Sequence, residues 1–225
     1  MNILIFGATG MVGQGVLRES LMAQDVAMVT TVGRTATGQH HAKLKELVVP
    51  DLFDLRSIEP DLQGYDACFF CLGVSSGGMK EADYSRLTYD LTLSVAQTLS
   101  RLNPQMTFVY VSGANTDSTE KGKSMWARVK GRTENALLRL PFKAVYLFRP
   151  GMIQPKHGVR SKTPAYRFLY ALMSPVLPLL RKLMPNAIAT TETIGQAMLA
   201  VVRAGWLVAV LETADIEKAS KPVVR

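Results

Sequence analysis

Apolar residues fall in short runs, separated by longer stretches in which they recur every three or four positions. The runs are Asn2–Phe6, Ala27–Val32, Lys45–Val49, Ala67–Leu72, Met106–Ser112, Lys143–Phe148 and Leu207–Leu211. Between them, about Met11–Ala23, Ala82–Leu102, Ser124–Leu140 and Thr193–Ala204 carry helical periodicity. Short buried strands alternating with amphipathic helices predict βαβ units. The fold expected is a Rossmann-like α/β architecture, a doubly wound parallel sheet of six or seven strands in three α/β/α layers. Asn103-Pro104 ends the second helix and Pro141 the third, because the residue before a proline avoids helical angles. No internal repeat, low-complexity tract or Gly/Ser linker divides the chain, so one domain is expected over residues 1–225. Arg149–Ala189 is irregular and proline-punctuated, and residues 151–190 are expected to cap the substrate side.

The first run opens into Gly7-Ala8-Thr9-Gly10-Met11-Val12-Gly13, immediately before a helical stretch. Glycines in that position allow a tight strand-to-helix turn and a close approach of backbone to a diphosphate. The helix start adds free N–H groups and a partial positive charge. Strand followed by glycine turn followed by helix is the context that makes such a triplet a dinucleotide site. After the second run comes Gly33-Arg34 in place of an Asp or Glu. A guanidinium binds a 2′-phosphate that a carboxylate would repel, so NADP(H) is expected over NAD(H).

Composition narrows the picture further. A chain of 225 residues, 48% hydrophobic and 20% charged, has enough apolar sequence for a folded core and is unlike a disordered segment. The net charge of +8 fits an anionic ligand. Basic residues are dense between Lys156 and Lys162, but no aromatic-interleaved basic motif points to nucleic acid. Cys68 and Cys71 sit three apart in a strand and so point to opposite faces, as core residues in a reducing compartment. No second cysteine pair or histidine cluster completes a metal site, and no metal is expected. His40 and His41 read as solvated, whereas His157 falls near the expected substrate entrance. Asp83, Asp90 and Glu81 favour the start of the long helix. The N-terminus has no signal-peptide pattern, and a cytoplasmic location is expected. Tyr166–Met184 is apolar but interrupted by Arg167, Pro175, Pro178, Arg181 and Lys182. It reads as part of the cap or a peripheral membrane contact, not a span.

The loop Gly7–Gly13 resembles that of the extended and atypical short-chain dehydrogenase/reductases. Further matches follow in order: Asp51-Leu52 after the third strand, Cys71-Leu72-Gly73 ending the fourth, Val111-Ser112-Gly113 ending the fifth, and Arg149-Pro150-Gly151-Met152-Ile153 ending the sixth. The stretch from Cys71 to Ile153 is most similar to the HIV Tat-interacting-protein-like oxidoreductases of that family. The resemblance implies that Asp51 and Leu52 touch adenine, that Cys71, Leu72 and Gly73 run beside the cofactor, and that Pro150, Gly151, Met152 and Ile153 pass the nicotinamide. It also implies a catalytic serine, tyrosine and lysine, the last two four residues apart on one helix. The tyrosine passes a proton, the lysine holds the ribose and lowers the tyrosine's pKa, and the serine polarises the carbonyl.

Ser112 and Lys130 match that pattern, but the tyrosine position is Trp126. An indole N–H donates a hydrogen bond and does not titrate near neutral pH. Three readings stay open. Another acid or a water chain supplies the proton, with Tyr84, Tyr89 and above all Tyr110 as candidates, since Tyr110 shares the strand face of Ser112. Alternatively, hydride passes to a substrate that needs no strong acid; for a reductase of either kind the substrate expected is a small apolar carbonyl or enone. In the third reading the protein binds NADPH without turnover and acts as a redox-responsive partner or regulator. The oligomeric state is not readable.

Overall fold

A computed structural model describes residues 1–159 and 187–221. The elements in chain order are β1 (Asn2–Phe6), α1 (Met11–Met22), β2 (Met28–Gly33), β3 (Leu44–Val48), a 3-10 turn (Arg56–Leu62) and β4 (Ala67–Phe70). Then come α2 (Glu81–Ser85), a π-helical stretch (Arg86–Asp90), α3 (Leu91–Leu102), β5 (Thr107–Val111), α4 (Met125–Leu137), β6 (Ala144–Arg149) and β7 (Met152–Gln154). After residues 160–186, which lie outside the described part, follow β8 (Ile188–Thr190), α5 (Thr191–Ala204), β9 (Val210–Glu212) and α6 (Thr213–Ala219).

Seven strands form one parallel sheet in the order β3-β2-β1-β4-β5-β6-β9. The first six places are the order of a doubly wound dinucleotide fold, in which the strand order reverses between β1 and β4 and opens a crevice at the strands' carboxyl ends. Both faces of the sheet are buried, which is why its strands read as apolar runs. Alternation divides them. Ile3 and Ile5 face one core with Val16 and Leu17 of α1 and Ile194, Ala197 and Met198 of α5. Leu4 and Phe6 face the other, with Val95, Ala96 and Leu99 of α3 and Leu137 of α4. In that second core Phe6 and Phe70 stack at 5.6 Å, and Phe70 meets Phe108 and Tyr110 at 5.9 and 6.0 Å. Cys68 belongs to this core and Cys71 packs against the other, so the two thiols stand on opposite faces.

Several boundaries differ from the sequence pattern for identifiable reasons. The long second helix carries a π turn at Arg86–Asp90, where the Thr92 hydroxyl donates 2.5 Å to the Thr88 carbonyl. The last strand begins at Val210 and not Leu207, because pairing with β6 starts at Leu147 opposite Val210; Leu207 is fully exposed. Two short strands went unpredicted. β7 and β8 pair in parallel as Met152 with Ile188 through Gln154 with Thr190. Three residues each is too little for periodicity to register. The cap expected at residues 151–190 falls mostly outside the described residues, as does Tyr166–Met184. Among the described residues no helix is long and apolar enough to cross a membrane.

Candidate functional site

The crevice holds a cavity of about 800 Å³. At one end lie Gly7, Thr9, Gly10, Met11 and Val12. Gly7 takes φ +82°, and its carbonyl accepts from Gly10 N at 2.9 Å, which folds the turn. Gly13 closes it: a Cβ there would stand 2.1 Å from the Gly7 carbonyl oxygen. Helix α1 then starts at Gly10 without a side-chain cap and without an acid in its first turn. Its first N–H groups and the positive end of its dipole are therefore left for a ligand. Gly13 itself sits behind the turn and is not among the cavity's lining residues.

Ala8 lines an adjoining cavity of about 410 Å³, together with Thr31, Gly33, Thr35, Thr37 and Leu52. Arg34 and Leu72 line both cavities. Arg34 is exposed, and no carboxylate among the described residues pairs with it. Glu46 on β3 accepts from Thr37 N at 2.6 Å and from the Thr31 hydroxyl at 3.3 Å, which fixes the loop carrying Arg34. Asp51 departs from the position the resemblance implied. It is exposed and lines neither cavity, because its carboxylate accepts from Phe53 N at 2.9 Å in a local turn. No carboxylate lines either cavity among the described residues, whereas Arg34 and Lys130 do. An uncapped helix start, a cationic lining and free length for a dinucleotide fit the cofactor that the glycine loop predicts.

The far end is built of side chains from β5, α4 and β6. Cys71, Leu72, Gly73, Val74 and Ser75 run along one wall, and Pro150, Gly151, Met152 and Ile153 along another. The second wall is held by Gly151 N donating to the Thr213 hydroxyl at 2.8 Å and Ala114 N to the Pro150 carbonyl at 2.9 Å. Ser112 and Lys130 meet between them. The Lys130 ammonium donates to the Ser112 carbonyl oxygen. Burial pulls Lys130 down to about 8, against the opposing pull of Glu134.

The centre of this end is a residue that the sequence reading passed over. Glu134 is 1% exposed and follows Lys130 by one helical turn. Its Oε1 accepts from the Ser112 hydroxyl at 2.5 Å. Arg149 Nε lies 3.1 and 3.2 Å from the two carboxylate oxygens, and Nη2 forms a further ion pair with Oε2. Arg149 also donates to the Ser118 hydroxyl at 2.5 Å, and Glu134 holds its guanidinium further toward the charged form. The spacing Trp126, Lys130, Glu134 was visible as one helical stripe, but a glutamate on a helix ordinarily reads as solvated. Ser112 consequently differs from the expected carbonyl-polarising donor. A hydroxyl has one proton, and here its acceptors are Glu134 and, at 3.2 Å, the Phe148 carbonyl.

The tyrosine candidates all lie off the described lining of the cavity. Tyr110 does share the strand face of Ser112, but it lies deeper, in the second core, where burial pushes its phenol far up. Tyr84 is buried as well, and burial raises it. Tyr89 packs under Arg132, whose guanidinium carbon is 4.2 Å from the ring centre, and does not line the cavity. Trp126 is half-buried on α4, one turn before Lys130, and is also absent from the lining. Cys71 is pushed up to about 12 by burial. His157, expected near the entrance, instead places Nε2 3.3 Å from Glu192 Oε2, outside the cavity. Glu19 joins that pair with ligand atoms within 4.8 Å, but its carboxylate is already engaged by Arg18 and Gln196. His40 and His41 lie in an exposed loop, where the His41 ring accepts from Lys43 N at 3.1 Å.

Comparison with known proteins gives a consistent answer. Residues 3–123 match the model of the NAD dependent epimerase/dehydratase family. Protein HTATIP2 of Rattus norvegicus is 28% identical over 155 residues, covering 68% of this chain and 62% of the rat protein. Protein FMP52-1, mitochondrial, of Scheffersomyces stipitis is 26% identical over 157 residues, covering 68% of this chain and 67% of that protein. The match thus spans less than two thirds of the rat relative. Among solved structures, the Bordetella bronchiseptica enzyme WbmF in complex with NAD+ superposes with a TM-score of 0.65. Identity there is 15%, over 96% of this chain and 76% of that one, a likeness of fold.

Proposed function

Because the chain belongs to the NAD dependent epimerase/dehydratase family, we propose that it is an atypical short-chain reductase that binds NADP(H) and reduces a small apolar carbonyl or enone. The single observation that carries this reading is the cavity itself. It runs from an uncapped helix start past Arg34 to the paired Ser112 and Lys130, without a carboxylate along the described lining. A reduced nicotinamide, when bound, supplies the hydride. The rest is the work of the chain. Gly7, Thr9, Gly10, Met11 and Val12 would wrap a pyrophosphate with backbone N–H groups. Arg34, without an acidic partner among the described residues, would meet a 2′-phosphate, for which its planar fork is suited. Val74, Met152 and Ile153 give the far end an apolar wall. Ser112 orients by accepting, since its own proton is turned toward Glu134.

A second reading has its own support: Trp126 stands where a tyrosine would act, and Glu134 occupies the Ser112 proton. It makes the protein an NADPH-binding regulator without turnover. The two part in one experiment. NADPH and NADH are titrated by the rise in nicotinamide fluorescence, and NADPH absorbance is then followed against a panel of aldehydes, ketones and enones. Tighter binding of NADPH with turnover of a panel member supports the reductase. Binding without turnover anywhere supports the regulator, and absence of binding by either nucleotide removes both.

A further inference from the structure

The proton that accompanies hydride transfer needs a source, and the cavity leaves one. Among the described lining residues the ionisable groups are Arg34, Cys71 and Lys130. Arg34 sits toward the adjoining cavity and does not give up its proton in proteins. Cys71, pushed up to about 12, is too weak an acid to match neutral pH. Ser112 has its proton directed at Glu134, and Tyr84, Tyr89 and Tyr110 lie outside the lining. Among the described lining residues Lys130 is the ionisable group beside Ser112. One of its three N–H bonds is used by the Ser112 carbonyl, and two remain.

We propose that Lys130 is the general acid of this site, delivering a proton from Nζ to the substrate oxygen in the role a tyrosine holds elsewhere in the family. This rests on the reductase reading above. The step balances. The carbonyl or enone carbon gains a hydride from the reduced nicotinamide, the oxygen takes one proton from the Lys130 ammonium, and the neutral amine regains a proton from water. An enone reduced at its β-carbon passes through an enolate that the same proton quenches.

The surroundings explain why this lysine suits the task. An ordinary lysine, near 10.4, holds its proton too tightly for efficient transfer near neutral pH. Here burial lowers it to about 8. Glu134, the carboxylate one turn along the same helix, opposes this without outweighing it. Both of its oxygens are taken by Arg149 from β6 and by Ser112 from the end of β5. Glu134 is the charged group that acts on Lys130; Tyr84 of α2 and Tyr110 of β5 are buried, and burial raises both phenols. Arg128 and Arg132 of α4 point away, to Glu81 and to Ser85 with Tyr89. Arg149 is therefore a positioning residue: it holds the Glu134 carboxylate, whose upward pull on Lys130 is the lesser effect beside burial.

The test has two arms on the full-length protein. In the wild type, each lysine's reactivity toward trace acetic anhydride is followed from pH 6 to pH 11 by peptide mass spectrometry. Lys130 is expected to reach half-maximal reactivity near pH 8, roughly two pH units below an ordinary lysine. Titration of Lys130 together with the ordinary lysines overturns the proposal, and this arm needs no variant to fold. In the second arm, kcat/KM of the wild type on the panel substrate is expected to fall above about pH 8. Lys130→Arg, which keeps the charge but cannot release it, is expected to lose about 10²–10⁴-fold at pH 7 and the pH dependence with it. An NADPH-induced rise in Tm identifies a folded variant. Turnover by Lys130→Arg with the wild-type profile overturns this proposal and leaves the reductase reading standing. Absence of wild-type turnover on every substrate overturns that reading and this proposal together.

Discussion

The two ends of the cavity are made in different ways. The end with the glycine loop is made of backbone from one continuous segment, Gly7 to Gly13, and its shape depends on what is missing: a Cβ at Gly13 and a cap at Gly10. The far end is made of side chains from three distant segments, with Ser112, Lys130, Glu134 and Arg149 bound into one buried network. The first end suits an anion through backbone groups, which depend on the glycines and not on particular side chains. The second needs every partner present, because a charge buried without its counterpart costs several kcal/mol. Affinity should therefore be hard to remove one side chain at a time, whereas the far end should fail as a unit.

The largest effect expected is on Glu134. Glu134→Ala leaves Arg149 without its main partner and frees the Ser112 hydroxyl. Removing one member of a buried pair costs about 3–5 kcal/mol, which in a domain of this size lowers Tm by roughly 6–20 °C. Denaturant unfolding with and without NADPH checks it. A cost under about 1 kcal/mol would mean that the network does not hold the far end, and the contrast between the ends would collapse. Below that in size comes Gly13→Ala. Its Cβ would meet the Gly7 carbonyl at 2.1 Å, a backbone contact that cannot swing aside. Overpacking of this kind costs about 1–3 kcal/mol, and the displaced turn should weaken NADPH binding at least about tenfold. Unchanged affinity would show that the nucleotide is not bound at this turn.

Arg34→Ala is smaller again and selective. A hydrogen bond to a charged group contributes about 1.5 kcal/mol or more, so NADPH should bind roughly tenfold more weakly while NADH is unaffected. An equal loss for both nucleotides would locate Arg34 against the pyrophosphate instead of a 2′-phosphate. That outcome would remove the argument for NADPH but keep the site.

The same division decides what could be read in advance. Backbone devices are local, so β1, the glycine turn and α1 stand out in a dozen consecutive residues. The parallel sheet is equally visible, since strands buried on both faces become apolar runs. The far end is non-local. Ser112 and Lys130 were found only through resemblance to a family pattern, and Glu134 not at all, because helical spacing cannot tell a buried carboxylate from a solvated one. Tyr110 shows the complementary error. Strand alternation correctly gave its face, but says nothing about depth, and one residue pair separates the cavity wall at Ser112 from the aromatic core at Tyr110. Asp51 lies outside both cavity linings, in a local turn that its own side chain makes.

The smallest effect expected is at the position that most disturbed the sequence reading. Trp126 lies on the stripe of Lys130 and Glu134 but one turn outward, and it is absent from both the cavity lining and the two cores. Trp126→Phe should therefore change NADPH affinity less than about twofold, within roughly 0.5 kcal/mol, and stability by a similar amount. Nucleotide titration and thermal unfolding measure both. Turnover should also survive, because the proton on this account comes from Lys130 and an indole N–H does not titrate near neutral pH. A large loss of turnover with binding intact would place the indole against the substrate. The far end would then extend beyond the Ser112–Lys130 wall, and the reductase would depend on Trp126 as a contact surface, no longer as the mark of a missing acid.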